Sequence, residues 1–234
     1  MSGAGPEASD PAGRVIGIDA AGKRGWAAVL VDEAGFVDAE VGTLETVIAW
    51  AEPISVIAVD IPIGNVPGGG RRCDVEARGL IGRRSSSVFS APPLEVLDAE
   101  SYEAANEMLA AMEAPRLSKQ AWALGPKIYE AAKVAVDDPR VVEVHPEVSF
   151  REMAAEPLPW SKKSWNGLLL RRRLLAEAGI LLPDVVPALA GVVADDVVDA
   201  AVAAWSARRV AEGTARCVPN PPEDAAGRQV AIWY

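Results

Sequence analysis

The sequence predicts an α/β fold: a mixed five-stranded sheet in the order 3-2-1-4-5, flanked by helices, with a helical insertion between the fourth and fifth strands. Three observations predict it. Short apolar runs separated by Gly-containing turns open the fold, which reads as an antiparallel meander. A segment with helical periodicity then leads into a nearly continuous apolar run, the pattern of a parallel strand buried on both faces. A right-handed crossover brings that fourth strand beside the first and parallel to it.

The elements follow in order. Residues 1–13 (MSGAGPEASDPAG) have no basic start and no apolar stretch, so they read as a disordered tail rather than a signal peptide. Residues 14–234 read as one domain. Val15 to Asp19 is the first strand, Trp26 to Val31 the second and Phe36 to Val41 the third. Thr43 N-caps a helix from Leu44 to Ala51, whose Leu44, Val47, Ile48 and Ala51 share one face, and Pro53 ends it. Ile54 to Ile61 supplies the fourth strand. The insertion, about 62–139, starts with a Gly- and Pro-rich loop and turns basic, with helices expected at Cys73–Leu80, Tyr102–Met112 and Lys119–Val136. Val141 to His145 is the fifth strand, closed by Pro146. Lys162 to Glu177 reads as a basic helix, and Val192 to Glu212 as a long one carrying Asp195, Asp196 and Asp199.

Composition narrows the function. With 50% hydrophobic and 24% charged residues, the 234-residue chain is too apolar for disorder over most of its length. A net charge of −10 excludes a surface coated in basic groups, though not a local basic groove. Cys73 and Cys217 form neither a disulfide framework nor a CxxC site, which points to the reducing cytoplasm. No uncharged run approaches the ~18 residues of a membrane span.

The chemistry gathers on carboxylates. Asp19 and Asp60 each end an apolar strand, and the crossover puts them at corresponding ends of neighbouring strands. In a helix, Asp196 and Asp199 stand at i, i+3, and Asp195 and Asp199 at i, i+4, beside a core-packed face. Crowded acids next to a buried face call for a counter-charge, and Mg²⁺ or Mn²⁺ suits carboxylate oxygens. Against this stand plainer roles: strand-end acids as turn residues, and helix-start acids complementing the macrodipole. Glu143, the single histidine His145 and Glu147 form a second group; Glu147 reads as a further metal ligand or general base. Arg72, Arg78 and Arg84 flank the Gly-rich loop, and with Lys127 and His145 they are the candidate substrate contacts. Arginine forks and serine hydroxyls bind phosphates, and nearby tryptophans stack on bases. GNVPGGG lacks the G-K-[ST] ending of a phosphate-binding Walker loop, so no nucleotide cofactor is expected.

Three stretches, GIDAAGKRGWAAV, VDIPIG and DDVVDA, together resemble the RNase H-like superfamily, and the D-x-x-D of Asp196 and Asp199 resembles its Holliday-junction-resolvase branch. More closely, RRCDVEARGLIGRRSSSVF, SKQAWALGPKIYEAA, VVEVHPEVSF and ADDVVDAAVAAW resemble the family called domain of unknown function 429, predicted nucleases of RNase H-like fold. The resemblance implies a two-metal nuclease acting on DNA or RNA. Asp19 would bridge two ions about 3.5–4 Å apart, and Asp60 and Asp199 would each complete one coordination sphere, with Asp196 close by. Asp60 stands where many such proteins carry the longer Glu. A homodimer is part of the expectation, and a membrane is not. Two alternatives remain. One is a non-catalytic protein that keeps the fold and binds metal or nucleic acid. The other is an actin-like phosphotransferase, because GIDAAGKRGW also resembles the first phosphate loop of sugar kinases; that reading requires a duplicated fold and a second such loop.

Overall fold

The computed structural model describes residues 13–234 apart from 65, 67–69 and 226. The expected N-terminal tail lies outside the described residues except for Gly13. Strands β1 (Val15–Ala20), β2 (Trp26–Asp32) and β3 (Gly35–Gly42) form the antiparallel meander. Helix α1 (Leu44–Ala51) starts at Thr43, whose hydroxyl accepts the N–H of Thr46. It crosses to β4 (Val56–Val59), which pairs parallel with β1. The insertion contributes α2 (Arg72–Ile81), a 3₁₀ turn (Gly82–Ser87), α3 (Leu94–Leu97), α4 (Tyr102–Ala111), α5 (Lys119–Ala123) and α6 (Gly125–Asp137). Then come β5 (Val141–Val144), α7 (Pro146–Ala154), α8 (Trp165–Glu177), α9 (Ala194–Ala211), β6 (Cys217–Ala225) and β7 (Arg228–Trp233).

The sheet has seven strands, not five, in the order β3-β2-β1-β4-β5-β7-β6. The expected order holds for the first five, and β7 adds parallel to β5 with β6 antiparallel beyond it. Patterning misses β6 because Pro219, Pro221 and Pro222 make CVPNPPEDA read as a loop. Prolines are compatible with a strand only at a sheet edge, where β6 lies. At the opposite edge, β3 turns two of its amides onto its own acids: Ala39 N–H donates to Asp38 and Val41 N–H to Glu40, both at 2.8 Å. Three further boundaries differ from expectation. Pro146 opens α7 as well as closing the strand, since an N-terminal proline forfeits no helical hydrogen bond. The helix expected over Lys119–Val136 is interrupted near Leu124 by Gly125 and Pro126. The basic helix starts at Trp165, where Ser164 caps it, so Lys162 and Lys163 lie in the preceding loop.

Alternation along the strands sorts the two faces. Ile16, Ile18, Ile57 and Val59 pack with Leu44 and Val47 of α1 and Ile128 and Ala131 of α6. Val15, Val56 and Ala58 face the other way, onto Val198, Ala201 and Val202 of α9, with Phe150 of α7 and Leu175 of α8 in the same core. Gly17 belongs to that second face. A Cβ there would lie 2.0 Å from Ala204 N and 2.1 Å from Ala200 O, so α9 rests on the backbone of β1. The same parity sends Asp19, and Asp60 just past β4, toward α9. Asp60 N–H donates to Ile18 O (2.8 Å), which fixes the two acids side by side. Among the described residues no helix is long and apolar enough to cross a membrane.

Gly17→Ala should lower the unfolding free energy by about 3 kcal/mol, the upper range for overpacking, because backbone cannot turn aside as a side chain can. Urea unfolding measures this. A cost under about 0.5 kcal/mol would show that α9 can retreat from β1.

Candidate functional site

Three elements deliver one acid each. Asp19 leaves β1, Asp60 follows β4, and Asp199 sits in the second turn of α9, on the side pressed against β1. One carboxylate oxygen from each lies within 4.8 Å of the other two. Asp19 and Asp199 are recessed, 6% and 1% exposed. Asp19 Oδ1 accepts the N–H of Ala20 (2.6 Å), whereas Asp199 Oδ1 is buried with no hydrogen-bond partner among the described residues.

Burial and mutual repulsion set the charge state. Burial pushes the Asp60 carboxyl up to about 8, helped by Asp199. Burial, then Asp60 and Asp199, hold Asp19 well above the ordinary carboxylate range. Burial raises Asp199 to about 6, against the opposing pull of Lys162. The Lys162 ammonium donates to Asp199 Oδ2 and lies 4.0 Å from Asp195. Although burial works against its charge, Asp199, with Asp19 and Asp60, raises its pKa. Asp196 is half-buried beside the trio, its pKa raised by burial and by Asp195, and it lines the same cleft without joining the close trio.

A second buried charge cluster adjoins the first. Arg71, 2% exposed, donates to both oxygens of Glu143 (2.7 Å each) and to Asp74 (2.5 Å). Glu143 also accepts Ile63 N–H (2.6 Å), and Asp74 accepts Ala91 N–H (3.1 Å). Cys73, Asp74 and Glu143 have the spacing of a metal site, but the Arg71 guanidinium already occupies both carboxylates. This cluster ties β5 to the loop after β4 and to α2. The sequence holds one clue to it, a glutamate inside the buried strand VVEV, which needs a cation it cannot find locally.

The other candidates divide. Glu147 pairs with the buried Arg171 (2.6 Å) and stands 3.7 Å from Arg84, so its carboxylate faces guanidinium groups. Arg84, His145 and Glu147 line the same cleft of about 440 Å³ as the acid trio, together with Ser86, Ser87 and Phe89 from the insertion. Arg72, Arg78 and Lys127 do not line it. Arg72 is exposed and pairs with Glu76 one turn along α2 (3.2 Å). Arg78 is occupied by Val88 O (2.9 Å) and Ser90 (3.0 Å), holding the turn after α2. Lys127 donates to Gly25 O and rides 4.2 Å above the Trp26 ring. Arg84 reaches the cleft from the 3₁₀ turn after α2, whereas Arg72 and Arg78 lie on α2 itself, a division that periodicity alone does not set. Lys162, absent from the candidates, reaches the trio because it lies outside α8.

With this geometry established, comparison with known proteins adds one finding. Residues 17–224 match the family described as protein of unknown function (DUF429). The chain belongs to that family. The match spans the acid trio, the insertion and α9. No curated protein and no solved structure matches the chain.

Two predictions come from the charges. In metal-free protein the native state keeps protons on Asp60 and Asp19 that the unfolded chain releases near pH 4. Stability should therefore fall as pH rises toward 8. His145, held below its ordinary value by burial, opposes this only below about pH 6.5, where the unfolded chain takes up its proton. Melting in chelator at pH 6.5 and 8.5 should show a lower Tm at the higher pH, and Asp60→Asn should flatten the difference. Separately, Arg71→Met strands two buried carboxylates and should cost about 3–5 kcal/mol, against less than about 0.5 for the exposed Arg72→Met. Denaturant titration of the two variants compares them directly.

Proposed function

We propose that this protein is a metal-dependent nuclease of RNase H-like fold that hydrolyses phosphodiester bonds of DNA or RNA with Mg²⁺ or Mn²⁺. One observation carries the reading: acids from β1, the end of β4 and the C-terminal part of the chain converge within 4.8 Å, with Asp199 Oδ1 buried and unpartnered. An all-oxygen donor set of crowded carboxylates suits a hard divalent cation, which relieves the repulsion that raises their pKa values. The order of the first five strands and the position of the acids support the fold assignment. Two free, buried cysteines accord with a cytoplasmic setting.

Asp19, Asp60 and Asp199 would hold the ions, with Asp196 lining the same cleft. Bound there, such ions supply an activated water and stabilise the leaving oxygen of an in-line displacement. The chain's own residues position the substrate. Arg84 presents its guanidinium to a phosphate, oriented by its Nε hydrogen bond to Leu158 O (3.2 Å) and by Glu147. Lys162 keeps Asp199 charged and aligned while the site awaits cations.

Lys162 also favours a second reading, a non-catalytic protein of the same fold, because its ammonium already supplies a counter-charge to Asp199. Manganese-dependent strand hydrolysis separates the two.

Asp19→Asn should abolish hydrolysis yet preserve the fold, since Asn keeps the volume and removes one repelling charge. At cation concentrations about 100-fold above Kd, wild type should gain about 2.7 kcal/mol of stability and the variant far less. Melting curves with chelator and with Mn²⁺ read this out, and equal gains in both proteins would remove Asp19 from the metal site.

A further inference from the structure

The acid trio accounts for one side of the cleft; the other side carries groups it leaves unused. The two terminal nitrogens of Arg84 and the hydroxyls of Ser86 and Ser87 have no hydrogen-bond partner among the described residues. Gln120 of α5, whose amide has no hydrogen-bond partner among the described residues, lines the same cleft as the apolar Phe89 and Leu124. His145 adds a fixed acceptor. Its Nε2 lies 3.3 Å from Ser87 O, and a carbonyl can only accept, so Nε2 carries the hydrogen. The neutral ring then leaves Nδ1 as a lone-pair acceptor, buried and unpartnered.

These groups match one nucleotide. A guanidinium fork and two hydroxyls suit a phosphate, and an aromatic edge with an amide suits a base. The volume, about 440 Å³, lies within the range of small-molecule pockets. Depth adds a steric condition. Because Asp19 and Asp199 lie below the surface, a phosphate in the middle of a strand reaches them only if both neighbours enter as well. At a chain end only one neighbour must enter.

We propose that this cleft is a single-nucleotide subsite that admits a free end of a single strand, so that the protein trims nucleotides from ends rather than cutting internally. The proposal rests on the phosphodiesterase reading above and adds the substrate class to it. In each turnover water forms a bond to phosphorus, the P–O bond to the adjoining sugar breaks, and the departing oxygen takes a proton. A nucleoside monophosphate and a strand shortened by one residue result. The same groups would read the end of a long strand and that of a dinucleotide.

The test pairs one single-stranded oligonucleotide in linear form with the same sequence closed into a circle, each incubated with the protein and Mn²⁺. A linear dinucleotide forms a third arm. Calorimetric titration with nucleoside monophosphates in chelator reads the subsite without catalysis. The expected result is stepwise shortening of the linear strand, an intact circle and saturable monophosphate binding. Gln120→Ala should weaken that binding roughly fivefold, as the loss of one hydrogen bond would, with an unchanged melting temperature because Gln120 is exposed. Cleavage of the dinucleotide alone would assign the subsite to small diesters and overturn strand trimming. Cutting of the circle as fast as the linear strand would overturn the proposal and leave the nuclease reading standing. No hydrolysis of any substrate would overturn both.

Discussion

The contact of α9 with β1 at Gly17 governs the position of everything that bears charge. Helix and strand meet backbone to backbone, because Gly17 has no Cβ and α9 offers Ala200, Ala203 and Ala204 at the crossing. Close packing of this kind leaves little freedom in the offset of the helix along the strand. Asp199 precedes the crossing by less than one turn, and Asp19 follows Gly17 by two residues on the same face. Their proximity is therefore a by-product of a small-residue contact, and the parallel pairing of β4 with β1 brings Asp60 to the same point. A larger residue at the contact would move the helix and dismantle the trio without touching an acid.

Two buried charge clusters at the same end of the sheet have opposite characters. Around Arg71 every carboxylate oxygen has a donor, and the cations and anions are supplied by the chain itself. That arrangement braces a junction between elements. Around Asp19 the acids outnumber the single ammonium of Lys162, one oxygen has no donor, and pKa values are forced upward. A folded chain tolerates such an imbalance where its own residues do not complete the chemistry. The contrast separates bracing acids from acids with work left to do more sharply than any count of carboxylates.

How much of this was legible in the sequence depends on the range of the interaction. The meander, the Thr43 cap and the β4 crossover follow from local periodicity and capping chemistry, and that crossover is what sets Asp60 beside Asp19. The D-x-x-D of α9 gave the third acid. What escaped was set by distant or unusual contacts. Arg71 and Arg72 are adjacent and chemically alike, yet the start of α2 buries one and exposes the other. Patterning starts the basic helix at Lys162, but α8 begins three residues later, which frees Lys162 to reach Asp199. Strand β6 was hidden by prolines whose missing N–H groups matter only if the strand has a second neighbour.

Those prolines and the acid-capped amides of β3 share a consequence for how molecules meet in concentrated solution. A sheet grows when an incoming strand finds donors and acceptors along an open edge. At one margin Pro219, Pro221 and Pro222 have no N–H to offer; at the other, Asp38 and Glu40 already hold two amides and present negative charge to any approaching chain. The sheet thus terminates itself chemically on both sides. Seven strands rich in valine and isoleucine can be carried without seeding the edge-to-edge stacking from which fibrils grow.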